Sequence, residues 1–146
     1  MAPRRGFSFK DGKIATRKAA DMSDETATAL AQDRVIDITT TGRRTGEPRR
    51  IEIWFHRLDG RYYITGSPGR PRDWYANLVA HPGFTFHLKE SATADLAATA
   101  RPVTEQAERE KVFAGLLALL SEFTSRPGHE PGVWVATSPL VEVTFA

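Results

Sequence analysis

A chain of 146 residues, 40% hydrophobic and 26% charged, has the length and composition of one soluble globular domain able to bury a core. It contains no cysteine, which excludes disulfides, thiolate metal sites and cysteine nucleophiles, and its longest apolar run, Ala114 to Leu120, is too short to span a bilayer. A formal net charge of +2 is too small to imply nucleic acid, and without an N-terminal apolar segment of the secretory kind the chain is expected in the cytoplasm, with no integral membrane segment.

Residues 1–20 carry scattered basic side chains and no apolar period, so they are expected to form a flexible N-terminal arm ahead of a single domain over 21–146. Ser23 or Asp24 can cap a short helix from Glu25 to Gln32. Ile36 and Ile38 alternate with Asp37 and Thr39, the pattern of a half-buried strand. After a loop from Thr39 to Arg50, Ile51, Ile53 and Phe55 share one strand face, while Glu52, Trp54 and His56 share the other. Leu58-Asp59-Gly60-Arg61 signals a hairpin turn into a third strand, Tyr62-Tyr63-Ile64-Thr65. Gly66-Ser67-Pro68-Gly69-Arg70-Pro71 breaks that strand and starts a helix with proline in its first turn.

On that helix Trp74 pairs with Leu78 and Tyr75 with Val79, and His81-Pro82-Gly83 stops it. Phe84, Phe86 and Leu88 form one alternating run, and Ala94, Leu96, Ala98 and Ala100 another. Thr104 opens a longer helix with the stripe Val112, Phe113, Leu116, Leu117, Leu120 and Phe123. Ser125 to Gly132 reads as a proline- and glycine-rich loop, and Val141, Val143 and Phe145 as the last strand. Six antiparallel strands with two or three peripheral helices give a mainly β, α+β fold. A small split β-barrel suits that order better than a parallel βαβ sheet.

The charge is unevenly spread. From Arg43 to Arg72 there are eight arginines against Glu47, Glu52 and Asp59, whereas Glu90 to Glu122 has six acids against Arg101, Arg109 and Lys111. The loop Thr39-Thr40-Thr41-Gly42-Arg43-Arg44-Thr45-Gly46-Glu47-Pro48-Arg49-Arg50 gathers glycines, hydroxyls and four arginines into one turn. Its glycines let backbone N–H groups approach a ligand, and arginine forks beside threonine hydroxyls suit phosphate or carboxylate oxygens. A charged hairpin with ordinary turn residues is the plain alternative. The four histidines show no close ligand spacing, so no metal is expected.

Thr40-Thr41-Gly42-Arg43-Arg44-Thr45-Gly46-Glu47-Pro48-Arg49 resembles the T-x-G-R-K-[ST]-G-x-P-R signature of the deazaflavin-dependent nitroreductase and quinone-reductase family. Ile53-Trp54-Phe55, Asp59-Gly60-Arg61-Tyr62-Tyr63, Gly66-Ser67, Asp73-Trp74-Tyr75-Ala76-Asn77-Leu78 and His81-Pro82 follow in that family's order, so the resemblance spans about residues 35–102. It implies a flavin-reductase-like split β-barrel that binds coenzyme F420, with FMN as the alternative, and passes a hydride to a quinone, nitroaromatic or similar conjugated small-molecule acceptor.

Carried over by position, the resemblance implies that Arg43, Arg44, Thr45 and Arg49 hold the cofactor's phosphate and acidic tail. Ile53, Trp54 and Phe55 would line the ring, and Gly66, Ser67, Pro68, Gly69 and Arg70 would offer amides to its polar edge. Trp74 and Asn77 would fix that loop from behind. Glu52 stands where the family usually has proline, and Glu47 where many relatives are basic. Tyr62, Tyr63, Tyr75 and His56 are proton-donor candidates by chemical type. A haem- or lipid-binding carrier on the same barrel, and a single-stranded nucleic-acid binder, are rival readings. The apolar stripe of the long helix suits either core packing or contact in a homodimer.

Overall fold

Alternation over residues 35–41 becomes strand β1 (Val35–Thr41), which turns through the arginine loop into β2 (Pro48–Trp54) with Ile36 opposite Ile53 and Ile38 opposite Ile51. The computed structural model describes residues 23–146, and the arm expected over 1–20 lies outside the described residues. Ahead of β1, helix α1 (Asp24–Gln32) begins where the Ser23 hydroxyl accepts the Thr26 N–H at 3.1 Å, a side-chain N-cap. After β2 come β3 (His56–Leu58) and β4 (Arg61–Thr65), joined through Asp59 and Gly60 at φ 53° and 76°, the paired positive values of a tight hairpin. Helix α2 (Asp73–Ala80), strands β5 (Gly83–Leu88) and β6 (Ala94–Pro102), helices α3 (Gln106–Leu119) and α4 (Pro131–Thr137) and strand β7 (Leu140–Phe145) complete the order.

The strands pair antiparallel in the order β2-β1-β5-β6-β7-β4-β3. The two end strands of that sheet are consecutive in sequence, linked by Phe55 alone. In a flat sheet of this width they would lie about 29 Å apart, while one residue spans only about 3.5 Å. The sheet must therefore roll until its edges meet, and the result is a split barrel. Phe55 is 2% exposed, and its N–H still reaches the Arg34 carbonyl at 3.0 Å.

Inside the barrel, Ile36, Ile38, Ile64, Phe86, Leu88, Val141 and Val143 close around Phe55. The Phe86 ring meets both Phe55 and Phe145 edge-on, with centroids 5.1 Å apart. Alternation along β4 then places Tyr63 on the outer face, where it packs with Val103, Phe113, Leu116, Trp134 and Leu140 under α3 and α4. One sheet thus has two apolar layers, one enclosed by the barrel and one covered by the C-terminal helices.

Three sequence expectations change. Six strands become seven because the Ile51, Ile53, Phe55 alternation is interrupted at Phe55, and His56–Leu58 forms its own strand on the far edge. Two or three helices become four α-helices among the described residues, since Pro131, expected in a loop, opens α4 in its first turn. Pro71 precedes the α2 N-cap residue, Arg72, and so lies outside the first turn. No helix among the described residues is long and apolar enough to cross a membrane.

Candidate functional site

The loop between β1 and β2 closes on itself. The Gly42 N–H donates to the Glu47 carbonyl and the Gly46 N–H to the Gly42 carbonyl, both at 2.8 Å. Thr45 Oγ1 accepts the Glu47 N–H at 3.2 Å. A Cβ on Gly42 would meet Thr45 Oγ1 at 3.0 Å and the Glu47 carbonyl at 3.1 Å, so a side chain there would open the turn. This tight turn is what aims the arginines.

Asn77 fastens the turn to α2. Its Oδ1 accepts both the backbone N–H and the guanidinium of Arg43 at 3.1 Å, and its Nδ2 donates to Thr40 Oγ1 at 3.2 Å. Asp73 takes a second Arg43 nitrogen at 3.3 Å. Asn77 is buried, so each of these bonds replaces one that water would otherwise supply. Arg43 is thereby occupied within the chain.

So held, Arg43 borders a cleft of about 320 Å³ together with Gly42, Arg44, Thr45 and Arg49 of the loop, Thr40 and Ile51 from the strands and Asp73, Trp74 and Asn77 from α2. Arg44 has no ion-pair or hydrogen-bond partner among the described residues, and Arg49 has only a 3.6 Å approach to Glu47. Two guanidinium forks and a hydroxyl above an isoleucine wall suit an anionic group joined to an apolar one. Thr40, Ile51 and Asp73 were not singled out from sequence. Nothing in a single chain signals which strand residues will line a cleft closed by a distant helix.

The other expected residues lie around this centre. Gly66 to Arg70 form the adjoining loop before α2. The Arg72 side chain threads it, donating to the Arg70 and Ser67 carbonyls at 3.0 Å each. A Cβ on Gly66 would meet Arg72 Nε at 3.1 Å, so a side chain there would press on the Arg72 guanidinium. Burial, then the nearby Arg70 charge, holds the Arg72 pKa below its ordinary value. Ile53 is half-buried opposite Ile36, on the cleft side of β2. Trp54 turns to the other face, its ring 5.9 Å from Phe123 and 5.4 Å from the Arg34 guanidinium.

The tyrosines do not converge. Tyr62 lies among Phe55 and Phe145, with ring centroids at 6.3 and 5.4 Å. Tyr63 is in the outer apolar layer, where burial, then the Glu142 carboxylate, pushes its pKa up. Tyr75 stands perpendicular to the cleft-lining Trp74 at 6.0 Å. His56 is kept neutral, because burial, then the Arg34 charge, lowers its pKa from 6.5 to about 4.

That depression fixes a pH window. The unfolded chain takes up the His56 proton near pH 6.5 and the folded chain only near 4, so stability is full above 6.5 and falls as pH drops between those values. The expected loss is about 2–3 kcal/mol. Urea unfolding at a series of pH values should show the slope, and His56→Gln should flatten it. An unchanged slope in that variant would assign the effect to other groups.

Over residues 13–128 the chain matches the family described as F420H(2)-dependent quinone reductase. Among solved structures it is similar to an F420-H2 dependent reductase, FDR-A, at 20% identity over 76% of this chain and 94% of that one, with a TM-score of 0.54. A FAD-binding protein from Mesorhizobium loti aligns at 15% identity over 83% and 85% of the two chains, with a TM-score of 0.58. A third structure, described as a domain-swapped dimer, aligns at 20% identity over 77% and 81%, with a TM-score of 0.54. Likeness at these identities speaks for the shared split-barrel fold.

Proposed function

The chain belongs to the F420H2-dependent quinone reductase family, oxidoreductases that use coenzyme F420, and on that premise we propose that it reduces a quinone, a nitroaromatic or a similar conjugated acceptor. The observation that carries this reading is the latched arginine turn: Arg43, held by Asn77 and Asp73, lines the cleft together with Arg44, Thr45 and Arg49. Those donors fit the phosphate and acidic tail of the cofactor, and bonds within the chain give the turn its shape. Held there, reduced F420 supplies the hydride itself.

The protein's share is to orient and to exclude water. Arg44 and Arg49 neutralise the anionic tail, and Thr45 adds a hydroxyl donor. Ile51 closes the apolar wall, and of the segment Ile53-Trp54-Phe55 it is Ile53 that faces the cleft side and carries the proposed ring contact. Gly66 to Arg70, braced by Arg72, offer backbone amides beside it. For protonation of the reduced acceptor, Tyr62 and Tyr75 are the proposed candidates, and the burial of Tyr63 beneath α3 speaks against that residue. The proposal places this chemistry in one domain over residues 21–146, in the cytoplasm. A homodimer is supported by the neighbour described as a domain-swapped dimer.

Cofactor titration at constant ionic strength, followed by fluorescence, tests the assignment. F420 should bind more tightly than FMN, and tighter FMN binding would make this a flavin protein. Arg44→Ala and Arg49→Ala should each weaken F420 binding by about 1.5–3 kcal/mol, the value of a charge-assisted hydrogen bond. Neither should move the urea midpoint of the cofactor-free protein appreciably. Wild-type affinity in both variants would reduce the turn to a charged hairpin.

A further inference from the structure

The cleft beside α2 holds a carboxylate that anion binding alone does not call for. Asp73 opens α2 and lines the cleft with Arg43, Arg44 and Arg49. Its side chain is 91% exposed, and its one polar contact among the described residues is the 3.3 Å approach of Arg43. A negative charge in the first turn favours a helix. It would do so from any side of the helix, and here it borders the cleft.

The bonds already made within the chain show what the cleft has left to bind with. Asn77 gives its oxygen to Arg43 and its amide N–H to Thr40, and Arg43 is divided between Asn77 and Asp73. Thr45 Oγ1 accepts the Glu47 N–H, which leaves its hydroxyl proton to donate. Arg44 has no partner among the described residues, and Arg49 has only its 3.6 Å approach to Glu47. The open donors are thus two guanidiniums and a hydroxyl. Asp73 is the only carboxylate among the described residues that line the cleft, and with one bond made it can still accept several more.

A ligand matched to this set carries an anion for the donors and, beside it, a hydrogen-bond donor for Asp73. Three arginines repel a cationic donor, and Arg43 already balances the Asp73 charge, so the matching group is a neutral hydroxyl. Ile51 and Trp74 give the carbon side of an alcohol chain an apolar wall. A volume of about 320 Å³ lies at the lower end of the range of about 300–1,000 Å³ for small-molecule sites. The cleft therefore takes one part of a cofactor and leaves the rest outside.

We propose that Asp73 is a specificity-determining residue that accepts the hydroxyls of a polyol chain esterified to the phosphate held by Arg44, Thr45 and Arg49. The placing of that phosphate is the one in the cofactor reading, on which the role of Asp73 rests. In dinucleotide-binding folds an acid beyond the phosphate loop takes a ribose hydroxyl in the same way. The Asp73 carboxylate repels a bare phosphate and attracts one that carries hydroxyls, so it separates the two by acting in opposite directions. Coenzyme F420 and FMN both carry such a chain, so Asp73 selects the class and not one member of it.

Two probes without a ring, methyl phosphate and ribitol 5-phosphate, titrated calorimetrically at constant ionic strength, test the assignment. Wild-type protein should bind ribitol 5-phosphate about tenfold more tightly, the scale of a hydrogen bond to a charged group. Asp73→Ala should abolish that preference and bind methyl phosphate at least as tightly as wild type, because a like charge has gone. Asp73→Asn keeps an acceptor oxygen without the charge and should keep a preference of about threefold. Both variants should unfold close to the wild-type urea midpoint, since the replaced side chain is exposed. A wild type without the preference, an alanine variant that retains it, or one that loses both probes alike would overturn the proposal. Of F420 and FMN, the one that binds wild type more tightly should lose about tenfold in Asp73→Ala. Equal binding of F420 by both proteins would overturn the role of Asp73 and leave the cofactor reading intact. A polyol preference in a protein that does not bind F420 would uphold that role and refute the cofactor reading.

Discussion

Arg109→Ala should lower the unfolding free energy by about 3–5 kcal/mol, several orphaned carbonyls costing about 1–3 kcal/mol each before partial relaxation. Arg109 is 9% exposed, and its guanidinium donates to the carbonyls of Val135, Val103, Trp134 and Ser138 at 2.8, 2.9, 3.3 and 2.6 Å. Three of these acceptors lie at the C-terminal end of α4, where the helix has no further N–H to offer and where a positive charge is favourable. Burial holds the Arg109 pKa below its ordinary value. Arg109→Lys keeps the charge but not the planar fork, so it should recover only part of the loss. Urea unfolding measures both variants. A loss below about 1 kcal/mol in the alanine variant would mean that water replaces the guanidinium without cost.

Asn77→Leu should weaken F420 binding by about tenfold or more, although Asn77 is assigned no cofactor contact of its own. The substitution removes the acceptor for Arg43 and the donor to Thr40, and buries leucine beside polar groups that then lack partners. Stability should fall by about 2–3 kcal/mol, the desolvation cost of such groups. Arg44→Ala, by contrast, should lose affinity with little change in stability, because it removes a donor from the cleft without disturbing the latch. Fluorescence titration beside urea unfolding separates the two patterns. Undiminished affinity in Asn77→Leu would show that the turn keeps its shape unaided.

Local physics made much of the fold readable in advance. Ile36 and Ile38, Phe84 and Phe86, and Val141 and Val143 each mark a strand by alternation, and Ser23 marks a helix start by its capping hydroxyl. The break at Phe55 was not legible, because its apolar side chain continues the Ile51, Ile53 period while the backbone crosses from one sheet edge to the other. Pro131 was ambiguous for another reason: a residue without an N–H suits a loop and a first helical turn equally well.

At the site, the arginine turn was visible as a cluster, but Asn77, expected from the family pattern to fix the Gly66–Arg70 loop, is bonded instead to Arg43 and Thr40 of the arginine turn. What stayed hidden was how the arginines divide. Arg43 and Arg44 are neighbours of identical type that both border the cleft, yet only Arg43 is held by Asp73 and Asn77, some thirty residues on. Likewise, alternation puts Trp54 on the face opposite Ile53, but no local pattern signals that Phe123 and Arg34 lie against it there.

The position of β7 bears on how the chain is born. The last strand in sequence lies inside the sheet, paired on one side with β6 and on the other with β4, where Tyr62 faces Val143. On a ribosome the β1–β2 and β3–β4 hairpins can form as they emerge, but β4 and β6 wait for residues 140–145 before either gains its second neighbour. Until then Ile64, Phe86 and Ala100 have no Val141 or Val143 to cover them, and the nascent chain exposes unpaired strand edges. Closure is therefore postponed until that segment has cleared the exit tunnel, and the interval before it is when the chain most needs a chaperone.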